Sequence, residues 1–454
     1  MTYRRGLIFT CVLGTFSVNL NNTALALALP QIRIELLLGT AQLQWVAASY
    51  ALVLASLTML GGALADRYAK RRVLFVGIVL YVCGSALGAM ASSSDILVLS
   101  RVLAAAGAAV FVPVGLSVLR EVSDSARELA RLMSVWAVAV GAGMALGPVF
   151  GGVLTSIWGW RSFFIGMTLI GMLYILLSVA FLPSLPGTAT QQISLPLHLL
   201  LGTMMCAIIG FFILLTGEGV LVLLPVGLLA VAAALAWWGV NGRSTHPIVP
   251  PRVFTKRAFS VSLVIAFVNY LALGTTLFVL AFLLQDRFRF DPAIAGTITL
   301  PLALATIVGG RWSGGAVRPE QVVRAIRVAA GSVLLGLGIA VFGCVFFEHD
   351  GNPALGVVLL MLALCVMGFG FGAANTPVNF LVVSQVSAEQ AGVSGAAASA
   401  SRQLGQTLGI AAGGAGLALG TGQLGTESLW VYGYVGGIIF GAGVLLAVIP
   451  RLYR

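Results

Sequence analysis

Two arginines stand inside stretches that are otherwise oil-like, and they offer the most chemistry in the chain. Arg101 and Arg402 each sit within a run of apolar and small residues. A charged group at a membrane helix centre costs at least about 2.5–3.5 kcal/mol, and less near a helix end. Arg101 lies a short way into its run, near the level of Asn21. Either it snorkels to the outer interface, or it lines a cavity where it binds an anionic group or tunes a neighbour. Arg402 carries the same two readings nearer the inner face. Uncharged polar residues recur in the same oily surroundings: Asn21, Asn22 and Thr23, then Asn269 and Tyr270, Asn375, Gln403 and Gln406. Buried amides need partners or water. A hydrogen bond between membrane helices averages only about 0.6 kcal/mol, so each residue alone can equally be helix-to-helix glue. As a set they outline a mostly apolar chamber with sparse hydrogen bonding. Such a chamber fits an amphipathic or lipophilic solute, and it lacks the dense basic clamp of a phosphate site.

The acidic residues say as much by their positions. None of the fourteen falls near the middle of an apolar run. A proton carrier inside a membrane is usually a buried carboxylate, because burial raises its pKa. Asp66 abuts Arg67 and a basic loop, which favours its ionised form, and it reads as a conformational clasp. Enzymatic chemistry has no evident foothold. His198, His246 and His349 are scattered, and no GxxxxGK[ST] phosphate loop occurs. Cys11, Cys83, Cys206, Cys344 and Cys365 lack metal-ligand spacing and are odd in number, so they read as core thiols. No cofactor and no metal are expected.

The elements that position these residues follow from composition. Of the 454 residues 59% are hydrophobic and only 9% charged, against about 25% charged in a soluble domain. Hydrocarbon leaves backbone polar groups no water, so only helices or closed barrels span it. Runs such as Leu7 to Leu29 are longer than barrel strands and apolar all round. At 1.5 Å per residue, about 20 residues cross a core of about 30 Å. Fourteen helices are expected, at 7–29, 44–65, 73–91, 96–118, 132–156, 162–182, 195–215, 219–240, 259–284, 294–314, 324–346, 355–380, 394–418 and 428–449. The N-terminal run exceeds a signal-peptide core and is read as the first span. An even count puts both termini on one side. With that side cytoplasmic, nineteen of the 25 basic residues lie there and four opposite, as the positive-inside rule requires. The net charge of +11 is therefore topological, and no nucleic acid is expected as a partner.

The spans divide as six, two and six: residues 1–185, then 186–243, then 244–454. Gly61 to Arg67 and Gly309 to Gly315 close the second span of each outer block alike, a faint sign of repeated halves. Glycine also crowds the fifth span, where Gly143, Gly147, Gly151 and Gly152 surround Pro148. Proline there removes a helical hydrogen bond, and the small residues open a flat face for a neighbour. Gly392, Gly395, Gly405, Gly409, Gly413 and Gly414 form a comparable run late in the chain.

These residues carry a resemblance to a known family. Gly62-Ala63-Leu64-Ala65-Asp66-Arg67-Tyr68-Ala69-Lys70-Arg71-Arg72 resembles the loop signature of the major facilitator superfamily. Gly143 through Gly152 is similar to its exporter motif. Trp160-Arg161-Ser162-Phe163-Phe164, Trp45, Tyr50 and Arg402-Gln403-Leu404-Gly405 resemble the fourteen-helix branch of drug:proton antiporters. The chain departs from the pattern at Asn21, where the family has an acidic residue, and at Ala26, Ala104, Ala105, Met167 and Leu169. The resemblance implies an all-α polytopic membrane protein of major-facilitator type, with two six-helix bundles and two extra central helices. It implies secondary transport by alternating access, namely proton-coupled antiport that exports small amphipathic, drug-like compounds. The transport path would run past Asn21, Asn22, Thr23, Arg101, Asn269, Tyr270, Asn375, Gln403 and Gln406. Gating would fall to Gly62, Asp66, Arg67, Arg71, Gly143, Gly147, Pro148, Gly151 and Gly152. The expected setting is a monomer in the bilayer of a bacterial inner membrane. An uncoupled facilitator or importer of the same fold, and a non-transporting scaffold or lipid-handling partner, stay open.

Overall fold

A computed structural model describes residues 2–183, 194–214, 220–243, 256–314, 319–349, 353–384 and 391–420, with 437, 439 and 441–445 toward the C-terminus. Helices follow from long apolar runs that must satisfy their own backbone. They are α1 Thr2–Ala24, α2 Leu29–Glu35, α3 Thr40–Arg67, α4 Lys70–Ala89, α5 Ser94–Ala108, α6 Phe111–Glu121, α7 Ala126–Trp158, α8 Arg161–Phe181, α9 Leu195–Leu214 and α10 Val220–Arg243. Then come α11 Arg257–Phe282, α12 Pro292–Ser313, α13 Pro319–His349, α14 Pro353–Ser384 and α15 Ala391–Gly420. Among the described residues 11 spans are long and apolar enough to cross a membrane. The expected helices at 195–215 and 394–418 are present as α9 and α15. The expected span at 428–449 and the middle of the 241–258 segment lie outside the described residues, apart from the few positions named above.

Two expected spans are broken, each for a reason involving proline. The first runs from α1 through a 3-10 turn at Leu25–Ala28 into α2. Pro30 has no N–H for the carbonyl of Ala26 and crowds it. The fourth breaks between Ala108 and Phe111, because Pro113 stands in the same relation to Ala109. The thiols also differ from expectation: Cys11 is buried, but Cys83, Cys206 and Cys365 are exposed. A membrane protein meets lipid on its outer surface, so an apolar thiol there has nothing to hide from.

The chain divides into two compact units, residues 1–206 with 229–248, and 207–228 with 249–454. Inside the first, α1 packs on α7, α3 on α5, and α4 on α5 and α8. Inside the second, α11 packs on α15, α12 on α14, and α13 on α14. In each set of spans the first therefore meets the fifth, the second meets the fourth, and the third meets the fourth.

Close contacts repeat along with the pairing. A Cβ on Gly61 would stand 2.6 Å from the carbonyl oxygen of Ala109 in the fourth-span break. A Cβ on Gly309 would stand 2.9 Å from the carbonyl carbon of Phe369. Gly62, by contrast, would meet only Pro113 Cβ at 3.6 Å, an ordinary contact. The tight approach at the end of α3 thus belongs to Gly61.

Candidate functional site

The first unit gathers its polar residues around Arg101, about 10 Å along α5 from Ser94 at 1.5 Å per residue. Ser93 caps that helix, its hydroxyl accepting from Ile96 N at 3.4 Å. Arg101 is 1% exposed and donates through Nη1 to Asn21 Oδ1. Asn21 donates in turn through Nδ2 to the Tyr81 hydroxyl at 3.1 Å, and Tyr81 donates to Met167 Sδ at 3.2 Å. The guanidinium carbon lies 4.4 Å from the Tyr50 ring centroid, close enough for a cation–π attraction. Four helices (α1, α3, α4 and α5) converge on one charge. Arg101 does not snorkel; it is buried and held. Asn21 sits where an acidic residue would have neutralised it, and accepts its hydrogen bond without cancelling the charge.

Thr23 serves the neighbouring contact. Pro148 leaves the carbonyl of Met144 without its helical donor, and the Thr23 hydroxyl lies 3.3 Å from that oxygen and 3.2 Å from its own Asn19 carbonyl. Gly143, Gly147 and Gly151 run along the same face of α7. A Cβ on Gly143 would lie 2.5 Å from Phe16 O, one on Gly147 would overlap Thr23 Oγ1, and one on Gly151 would overlap Ala24 O. Pro148 and Gly152 are buried beside this seam. Asn22 is only partly buried and does have an interaction partner.

The second unit holds a matching seam and a second polar group. A Cβ on Gly405 or Gly409 of α15 would overlap the carbonyl of Phe267 or Leu271 in α11. The Thr275 hydroxyl lies 3.0 Å from Gly409 O. Thr275 thus stands to α15 as Thr23 stands to α7. Asn269 donates to Phe371 O at 3.2 Å, and the Tyr270 and Phe371 rings are 5.0 Å apart. Tyr270 shares a side-chain hydrogen bond with Asn375 and lies within electrostatic reach of Arg402. Gln406 is buried and partnered, while Gln403 Oε1 is buried without a partner among the described residues.

Near the N-terminus of α1 the basic residues find acids that sequence reading had left aside. Lys70, 2% exposed, pairs with Glu121. Arg4 reaches Glu128 at 2.7 Å and Asp124 at 3.3 Å. Glu128 is placed at the start of α7 by an N-cap, since its N–H donates to Ser125 Oγ at 3.2 Å, and its carboxylate accepts from Asp124 N, one residue before the cap, at 3.0 Å. The Ser-x-x-Glu spacing was the legible signal. Arg71 donates to Val179 O at 2.9 Å, and exposed Arg67 lies 5.7 Å from the Tyr68 ring. The Asp66 side chain lies outside the described residues. At the opposite ends of these helices Glu35 accepts from Trp160 Nε1 at 2.7 Å and from Arg161. Among the described residues no group of three or more His, Cys, Asp or Glu could hold a metal.

Residues 11–410 match the family described as Major Facilitator Superfamily. The chain belongs to that superfamily. This major facilitator is a secondary transporter of small solutes that works by alternating access. It is 29% identical over 404 residues to the multidrug resistance protein Stp of Mycobacterium tuberculosis (strain CDC 1551 / Oshkosh), covering 88% of this chain and 73% of that one. It is 28% identical over 440 residues to the puromycin resistance protein pur8 of Streptomyces alboniger, with 94% and 86% covered. The riboflavin transporter RibZ of Clostridioides difficile (strain 630) is 26% identical, with 89% and 86% covered. A peptide transporter POT crystallised with sulfate shares the fold at TM-score 0.70 and 17% identity, with 98% of this chain and 94% of that one covered.

Proposed function

We propose that this protein exports small amphipathic or lipophilic compounds from a bacterial cell, as a monomer in the cytoplasmic membrane with both termini inside. The observation that carries the proposal is the α1–α7 seam. Pro148 frees the Met144 carbonyl, Thr23 covers it, and glycines bring the two backbones together. A helix with one hydrogen bond deleted bends there at low cost, and a glycine face slides without side chains to unlock. This seam acts as the outer seal. The ion pairs Lys70–Glu121 and Arg4–Glu128, together with Gly62, Asp66, Arg67 and Arg71, form the inner latch. The solute path runs past Asn21, Asn22, Thr23, Arg101, Asn269, Tyr270, Asn375, Gln403 and Gln406. The names of the resistance proteins it resembles support a drug-like cargo.

The proton gradient drives the cycle in this reading. The test is reconstitution in liposomes under an imposed pH gradient, with a panel of labelled solutes. Uphill movement that collapses with the gradient is expected. A second reading, an uncoupled facilitator, is favoured by one observation: among the described residues no acidic residue lies near the middle of a span. Downhill movement insensitive to the gradient would select it.

A further inference from the structure

Arg101 leaves an electrostatic imbalance inside the first unit. Its surroundings are uncharged: Asn21 accepts one N–H, and the Tyr50 ring lies 4.4 Å from the guanidinium carbon. Among the described residues no carboxylate pairs with it. Two buried polar atoms of this group have no partner among the described residues, Arg101 Nε and the Tyr50 hydroxyl. A buried cation without a counter-charge is unfavourable, and so is each unmade hydrogen bond. An incoming anion relieves both at once. A planar guanidinium presents N–H donors in the fork that suits a carboxylate or sulfonate. A cationic solute has the opposite prospect. Among the described residues it would find no carboxylate near mid-span, and it would be repelled by Arg101.

We infer that the solute carries an anionic group, a carboxylate or sulfonate on an apolar skeleton, and that Arg101 and the Tyr50 hydroxyl receive it. This names the cargo class of the transport reading and rests on it. The Tyr50 ring holds the guanidinium in place, Asn21 sets its rotation, and Nε with the phenol supplies donors to the solute oxygens.

The test uses the purified full chain in lipid nanodiscs with three probes of similar shape: 1-naphthaleneacetate, 1-naphthaleneacetamide and 2-(1-naphthyl)ethylammonium. Calorimetry is expected to give saturable binding of the acetate at least about tenfold tighter than the amide, with the ammonium weakest. Arg101→Gln should erase that order. Arg101→Lys should keep part of it, retaining the charge without the fork. Tyr50→Phe keeps the ring and should weaken the acetate alone by several-fold. Ammonium binding equal to or tighter than the acetate overturns the inference. So does the absence of saturable acetate binding, or an unchanged order in Arg101→Gln. Should Arg101→Gln fail to fold, the probe order in the unsubstituted chain and in Tyr50→Phe still decides. Uphill flux of the ammonium probe would defeat the anion assignment and leave the exporter reading standing. Saturable acetate binding without gradient-driven flux of any solute would do the reverse.

Discussion

Replacing Gly151 by Ala tests the seam directly, because the structure supplies its own control. A Cβ at Gly151 overlaps the Ala24 carbonyl oxygen and stands 2.8 Å from its carbon and 3.1 Å from the Ala24 Cα. All three are backbone atoms, so no rotamer change makes room. Overpacking of this kind costs about 1–3 kcal/mol, and a rigid obstacle argues for the upper end. Alanine returns about 0.8–1.0 kcal/mol of helix propensity, leaving a net loss of about 2 kcal/mol. Gly62→Ala gains the same propensity and meets only Pro113 Cβ at 3.6 Å. It should be neutral or stabilising by up to about 1 kcal/mol. The two variants should therefore differ by about 3 kcal/mol, roughly a hundredfold in the folding equilibrium. Reversible unfolding in mixed micelles, followed by a trapped-unfolded-state assay, reads that difference. Equal stability of the two variants, or a more stable Gly151→Ala, would refute the reasoning that α1 and α7 touch backbone to backbone.

Four further outcomes are expected. Glu35→Ala strands the indole N–H of Trp160, which is 0% exposed, and should cost about 1–3 kcal/mol in the same unfolding assay; no change would mean the outer clasp is ornamental. Glu121→Gln leaves the Lys70 ammonium buried without its partner and should destabilise far more than Asp124→Asn, whose carboxylate is 86% exposed; equal effects would dissolve the inner latch. Thr275→Val removes one interhelical hydrogen bond and should cost only about 0.6 kcal/mol, so a loss of several would mean the threonine does more than join two helices. Single cysteines at Ala69 and Phe254 should both react with an impermeant maleimide applied to the cytoplasmic side; reaction from opposite sides would break the proposed threading.

The helices and much of their order were legible in the sequence, because apolarity and length along the chain decide what enters a bilayer. The crowding of glycine in the fifth span and in a late run was legible too, as was the likeness between Gly61–Arg67 and Gly309–Gly315. A one-dimensional pattern records which residues are small and which are oily. It does not record how far each helix is rotated about its axis or at what depth it meets its neighbour. Those two quantities decided the rest. They set Arg101 on Asn21 and Tyr50 with Tyr81 behind, gave the tight contact at the end of α3 to Gly61, and put Thr23 against the carbonyl that Pro148 had released. They also turned Glu121 and Glu128 toward Lys70 and Arg4. Sequence determined what enters the bilayer; only packing across helices determined which of those residues are buried and what each buried polar atom would face.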